Sequence, residues 1–222
     1  MTHTEVLATL KKEKLVAILR GVPAEKLDAV VSALIEGGVR VLEFTFDHDD
    51  ENCVADTADK IRRTVEAYGD KVLVGCGTAL TVEEVEAAHA AGACLVISPN
   101  VDEDVIRRTR ELDMLSMPGA LTPTEIVAAY RMGADVVKLF PAGDLGLGYI
   151  KAVRAPLRHI PMTAVGGVKP ENVKDFLNAG VCGFGVGGQL VPSAAVKSGD
   201  YAAITALAKA FTGAIAEWEA GK

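Results

Sequence analysis

Eight short runs rich in Val, Ile and Leu recur along this chain about 20 to 30 residues apart, and that period constrains the fold more than any other feature of the sequence. The first is Leu15 to Leu19. The others lie near Val39 to Phe44, Lys71 to Gly75, Cys94 to Ile97, Met114 to Met117, Val136 to Phe140, Pro161 to Ala164 and Gly183 to Gly187. Each interval has room for one strand, one helix and two tight loops. The segments between the runs carry the spacing of amphipathic helices. Strands that are apolar almost without interruption must be covered on both faces, which predicts a parallel sheet packed under helices.

Local signals agree with that scheme. Thr81-Val-Glu-Glu84 has the pattern of a capping box, Thr122-Pro-Thr-Glu125 puts proline just inside a helix start, and Lys169-Pro170 opens another helix. Gly37-Gly38, Gly92, Gly133 and Gly180 follow helical stretches, where left-handed caps are expected. Eight βα units in 222 residues predict an α/β fold, a closed (β/α)8 TIM barrel with residues 1–222 as a single domain. An open doubly wound sheet is the alternative. It would carry GxGxxG after the first strand, and Arg20-Gly-Val-Pro-Ala-Glu25 lacks those glycines. Thr4 to Lys14 is predicted to be a short N-terminal helix plugging the barrel bottom, and Tyr201 to Trp218 the final amphipathic helix.

A net charge of −7 makes nucleic acid or an anionic membrane a poor partner for the molecule as a whole, so any anion must be bound by a local device. Cys53, Cys76, Cys94 and Cys182 show no CxxC spacing and read as reduced, mostly buried thiols. Near the N-terminus the only continuous apolar run, Leu15 to Leu19, is too short for a secretion signal or a membrane span, and a cytoplasmic location is expected.

Two charges interrupt the apolar strands. In Val39-Arg-Val-Leu-Glu-Phe-Thr45, alternation puts Val41, Glu43 and Thr45 on one face and Leu42 and Phe44 on the other. In Asp135-Val-Val-Lys-Leu-Phe140 it groups Val136, Lys138 and Phe140, leaving Val137 and Leu139 to meet helices. Glu43 and Lys138 are thus both predicted to point into the barrel, towards the C-terminal strand ends where barrel enzymes build their sites. A buried ion pair is one explanation. The other is catalytic: a desolvated lysine becomes a nucleophilic amine near neutral pH, and a neighbouring carboxylate moves protons. Gly166-Gly167 and Gly187-Gly188 follow the seventh and eighth strands, where barrel loops commonly hold phosphate with backbone N–H groups.

Together these residues resemble the class I pyruvate aldolases acting on 2-keto-3-deoxy-6-phosphogluconate, its galactonate epimer or 4-hydroxy-2-oxoglutarate. The resemblance rests on Val16-Ala-Ile-Leu-Arg-Gly21, Leu42-Glu-Phe-Thr45, Gly75-Cys-Gly-Thr-Ala79, Ile97-Ser-Pro-Asn100, Met117-Pro-Gly119, Val137-Lys-Leu-Phe-Pro-Ala142 and Ala164-Val-Gly-Gly-Val168, in order over nearly the whole chain. It implies a Schiff base on Lys138 with Glu43 relaying protons, and no cofactor or catalytic metal. Phe140 and Pro99 would pack on the pyruvyl group, with Thr78 near the substrate and Arg20 at the mouth meeting an anion. The glycine pairs Gly166, Gly167 and Gly187, Gly188 would cradle phosphate. The family is usually homotrimeric.

The chain departs from the gluconate-type pattern in three places. Asp47 stands where many members have a carboxylate-binding arginine, and it is expected to repel a substrate carboxylate. Ala164-Val165-Gly166-Gly167 replaces Pro-Thr-Gly-Gly, which is closer to the galactonate type. Gly187-Gly-Gln189 replaces Gly-Gly-Ser. Asp47, His48, Asp49 and Asp50 have the chemistry of divalent-metal ligands, but a solvated loop whose Asp residues cap the next helix is the simpler reading, and no metal is expected. Competing readings are a sugar-phosphate epimerase or synthase on the same barrel, and a non-catalytic binding protein built on this scaffold.

Overall fold

The computed structural model describes residues 2–222. The first helix, α1 (His3–Glu13), leads into β1 (Leu15–Leu19), and strand and helix then alternate. The succession is α2 (Leu27–Glu36), β2 (Val41–Thr45), α3 (Cys53–Tyr68), β3 (Leu73–Gly77), α4 (Val82–Ala90), β4 (Leu95–Ile97) and α5 (Glu103–Glu111). It continues with β5 (Leu115–Met117), β6 (Gly119–Ala120), α6 (Pro123–Met132), β7 (Val137–Leu139), α7 (Ala142–Arg154), β8 (Met162–Val165), α8 (Val173–Asn178) and β9 (Gly183–Val186). The short α9 (Ser193–Ser198) precedes the final helix α10 (Tyr201–Ala220).

All pairings are parallel, in the order β5-β4-β3-β2-β1-β9-β8-β7-β6. The two outer segments, β5 and β6, are one continuous run broken at Pro118. Proline has no N–H to give to a ladder, so the eight expected strands become nine segments around a nearly closed barrel. The Pro118 carbonyl still accepts from Lys138 N at 2.9 Å, which keeps the run beside β7.

Two cores follow from strand alternation. Leu42, Phe44, Val137 and Leu139 belong to the outer layer between strands and helices, whereas Val41 and Val136 belong to the barrel interior with Val16, Leu73, Leu95 and Leu115. Val6 and Leu10 of α1 join that interior cluster, so α1 plugs the barrel as expected. It is tied at its start by a Thr2–Glu5 capping box and by Asp135, which accepts from His3 and from Arg110 of α5. The Thr81 and Thr122 capping boxes form, and Gly38, Gly92, Gly133 and Gly180 take positive φ. Gly37 serves a different purpose: a Cβ there would stand 2.2 Å from the Ala208 Cβ of α10.

Strands β2 and β3 begin two residues later than the apolar runs. Val39 N donates to Leu34 O at 3.0 Å, and Val72 N to Tyr68 O at 3.1 Å, so each helix exit consumes the first residues of the run.

Candidate active site

β2 and β7 carry Glu43 and Lys138 to opposite walls of a cavity of about 570 Å³ at the C-terminal end of the barrel. Both side chains are buried, at 2% and 6% exposure. Space for them is made by glycines on neighbouring strands. A Cβ on Gly77 would lie 1.7 Å from Glu43 Oε1, so the carboxyl occupies the volume a side chain on β3 would fill. Lys138 pairs in register with Gly119, whose own Cβ would lie 2.3 Å from the Pro99 carbonyl oxygen. That close approach brings Pro99 into the cavity wall.

Burial dominates the electrostatics. Desolvation pushes the Glu43 carboxyl up to about 7, against the opposing pull of Lys138 and Arg20. Desolvation likewise lowers Lys138, assisted by the Arg20 charge, while the Glu43 charge acts in the other direction. The Lys138 Nζ stands 5.2 Å from the centre of the Phe140 ring, which is exposed at the cavity mouth. An amine biased towards its neutral form can attack a carbonyl carbon, and a carboxyl titrating near neutrality can both give and accept a proton.

Arg20, Thr78, Pro99, Phe140, Gly166, Gly187 and Gly188 line the same cavity. Arg20 Nη2 donates across a long 3.5 Å contact to Thr78 Oγ1, and Thr78 holds a left-handed backbone with φ 58°. Such a conformation in a β-branched residue stores strain of about 1–3 kcal/mol, a feature that clusters at functional sites. Gly166 and Gly167 take φ of 93° and 71°, which L side chains rarely adopt. Gly167 stands behind the wall rather than in it: a Cβ there would meet Gly143 Cα at 2.7 Å, so its role is close packing of the loop after β8 against the first turn of α7.

The structure corrects the expectation for Asp47. Phe46 continues the outward alternation of Leu42 and Phe44, its N–H still donating to Gly77 O at 2.9 Å, and Asp47 then begins an exposed loop outside the cavity lining. Its charge is therefore screened by solvent. His48 Nε2 contacts Glu84 Oε1 at 2.7 Å, and Glu84 in turn accepts the N–H groups of Leu80 and Thr81 at the start of α4. Among the described residues no group of three His, Cys, Asp or Glu side chains is arranged to hold a metal.

Ile18, Gly185, Val191 and Ser193, which sequence reasoning missed, complete the lining together with Val165, which the sequence pattern marks as standing in place of a threonine. Strand alternation pointed to three of these, since Ile18 follows Val16 on the inner face of β1, Val165 follows Thr163 on β8, and Gly185 follows Gly183 on β9 between the outward Phe184 and Val186. Ser193 had no such signal, because it reaches the cavity from beyond β9.

A parallel barrel with a desolvated amine and a proton-exchanging carboxyl at its C-terminal mouth has the equipment of a lyase acting on carbonyl compounds. The sequence pattern of the KDPG and KHG aldolase family matches residues 6–207, and the chain belongs to that family. It is accordingly a carbon–carbon lyase. The 2-dehydro-3-deoxy-6-phosphogalactonate aldolase of Escherichia coli (strain K12) is 39% identical over 180 residues, covering 81% of this chain and 85% of the relative. The 2-dehydro-3-deoxy-phosphogluconate aldolase of Treponema pallidum (strain Nichols) is 31% identical over 208 residues, with 92% and 94% coverage. A native KDPGal structure superposes with a TM-score of 0.82 at 36% identity, covering 92% of this chain and 95% of that one.

Proposed function

We propose that residues 1–222 act as one class I aldolase domain that cleaves a 2-keto-3-deoxy-6-phospho-sugar acid, or a related 4-hydroxy-2-keto acid, to pyruvate and an aldehyde. The observation that carries this reading is Lys138, a buried amine in a cavity shared with a buried carboxyl. The neutral amine adds to the C2 carbonyl to give a carbinolamine, and Glu43 supplies the proton with which the hydroxyl leaves as water. The resulting protonated imine is an electron sink. Glu43, now ionised, takes the proton from the C4 hydroxyl, the C3–C4 bond breaks, and its electrons form an enamine as the aldehyde departs. Protonation at C3 and hydrolysis release pyruvate and the free lysine.

Arg20 and the backbone N–H groups around Gly166, Gly187 and Gly188 supply positive potential for the substrate's anionic groups within a chain of charge −7. Pro99 and Phe140 provide apolar surface for the pyruvyl methyl group. The galactonate-type substrate is favoured by Val165, which lines the cavity without a hydroxyl, and by the 39% identity to a phosphogalactonate aldolase. We also read the enzyme as a cytoplasmic homotrimer. Exposed Leu80 and Leu121 support association, and four free cysteines support a reducing compartment. No helix among the described residues is long and apolar enough to cross a membrane.

Borohydride reduction in the presence of pyruvate tests the central step. One pyruvyl adduct is expected at Lys138, found by intact mass and peptide mapping, and it should vanish in Lys138→Met. An adduct confined to other lysines would overturn the assignment.

A further inference from the structure

Among the described residues only two buried side-chain polar atoms lack a hydrogen-bond partner, and one of them is Thr45 Oγ1. An unsatisfied buried hydroxyl is an uncommon feature that calls for a reason. Thr45 is the last residue of β2 and is 8% exposed. Alternation puts it on the same inward face as Glu43, one pleat closer to the mouth. It pairs in register with Gly77 of β3.

Gly77 is the glycine whose missing Cβ leaves room for the Glu43 carboxyl, with Oε1 only 1.7 Å from that vacant position. Glu43 therefore leans along the barrel wall to the level of Thr45. Paired residues on adjacent strands are about 4.8 Å apart, which puts the carboxyl on the order of 5 Å from the Thr45 Cβ and within reach of a hydroxyl swinging about χ1.

We infer that Thr45 is a positioning residue for Glu43: its hydroxyl, unpartnered at rest, turns about χ1 to meet the carboxyl over Gly77 when Glu43 ionises during proton transfer. The inference rests on the reading of Glu43 as the proton relay. A hydroxyl suits such a partner because it can do both jobs: it donates to the carboxylate, and it accepts from the carboxylic acid when its own hydrogen rotates away. An ammonium group can only donate and would favour the ionised state alone. A hydroxyl partner leaves the carboxyl free to cycle without reorganising the wall.

The test compares Thr45→Val, Thr45→Ser and Thr45→Ala with wild type in the exchange of pyruvate methyl protons with deuterium, followed across pH. Valine keeps the volume and removes the hydroxyl. Thr45→Val and Thr45→Ala are expected to exchange about tenfold more slowly. Their acidic limb should move to higher pH by about 1 unit, because a donor to the ionised carboxyl has been lost. Thr45→Ser should stay near wild type on both counts. The thermal midpoint of Thr45→Val should be unchanged or higher, since an orphaned polar group is gone. A folded Thr45→Val or Thr45→Ala with the wild-type profile overturns the inference, as does a Thr45→Ser that behaves like the valine variant. Glu43→Gln, run alongside, separates the two readings. If it exchanges protons like wild type, the relay assignment itself fails; if it is slow while Thr45→Val is normal, only the role of Thr45 falls.

Discussion

Replacing Gly77 with alanine should separate the placement of Glu43 from its mere presence. The new Cβ would arrive 1.7 Å from Glu43 Oε1, 2.4 Å from Cδ and 2.6 Å from Cγ. Non-bonded carbon and oxygen settle no closer than roughly 3–3.5 Å, so the carboxyl must retreat by more than about 1 Å. The backbone itself accepts alanine, because Gly77 is not among the glycines with positive φ. A misplacement of about 1 Å in a catalytic group can cost on the order of 10²-fold in rate, or about 2.7 kcal/mol of barrier. Exchange of pyruvate methyl protons, followed by NMR in deuterium oxide, should fall by that factor. Borohydride trapping at Lys138 should persist, since the amine is untouched. Gly75→Ala is the control on the same strand and face. Its Cβ would meet Leu95 Cγ at 2.3 Å and the Leu95 carbonyl oxygen at 2.5 Å, so it should lower stability through β4. A folded Gly77→Ala enzyme that exchanges protons at the wild-type rate would refute the idea that the vacant Cβ position sets the relay.

The raised Glu43 pKa also fixes a pH dependence of stability. Its folded value of about 7 exceeds the ordinary 4.5, so the stability linked to this group is fully present below about 4.5 and is lost as pH rises through about 7. Glu43→Gln should therefore gain on wild type between pH 5 and 8 in urea unfolding. The gain is at most about 3 kcal/mol and smaller in practice, because Lys138 loses its counter-charge; a difference independent of pH would contradict the shift. Asp47→Asn should leave kcat/KM for phosphorylated 2-keto-3-deoxy sugar acids within about twofold of wild type, as expected for a solvated charge outside the cavity. A gain of tenfold or more on a substrate carboxylate would bring Asp47 back into the site.

The sequence by itself determined the repeating βα unit, the plug helix, the caps and the inward faces of β2 and β7. These follow from local rules: side chains alternate along a strand, and Thr81 and Thr122 satisfy N–H groups three residues away, whatever the rest of the chain does. The family motifs added the roles of the residues on those faces. Tertiary structure alone decided where each side chain finds its space. That Glu43 rests over Gly77 depends on the register of β2 against β3. That Gly167 packs on Gly143, and Ser193 joins the wall, depends on how the loops beyond β8 and β9 meet the rest of the mouth. Asp47 follows β2 as closely in sequence as a substrate ligand would, yet the strand ends and a loop begins there, leaving the carboxylate in water. Periodicity is a property of neighbouring residues in the chain, whereas a cavity is bounded by residues from many strands. Its walls are set by long-range packing that no local pattern encodes.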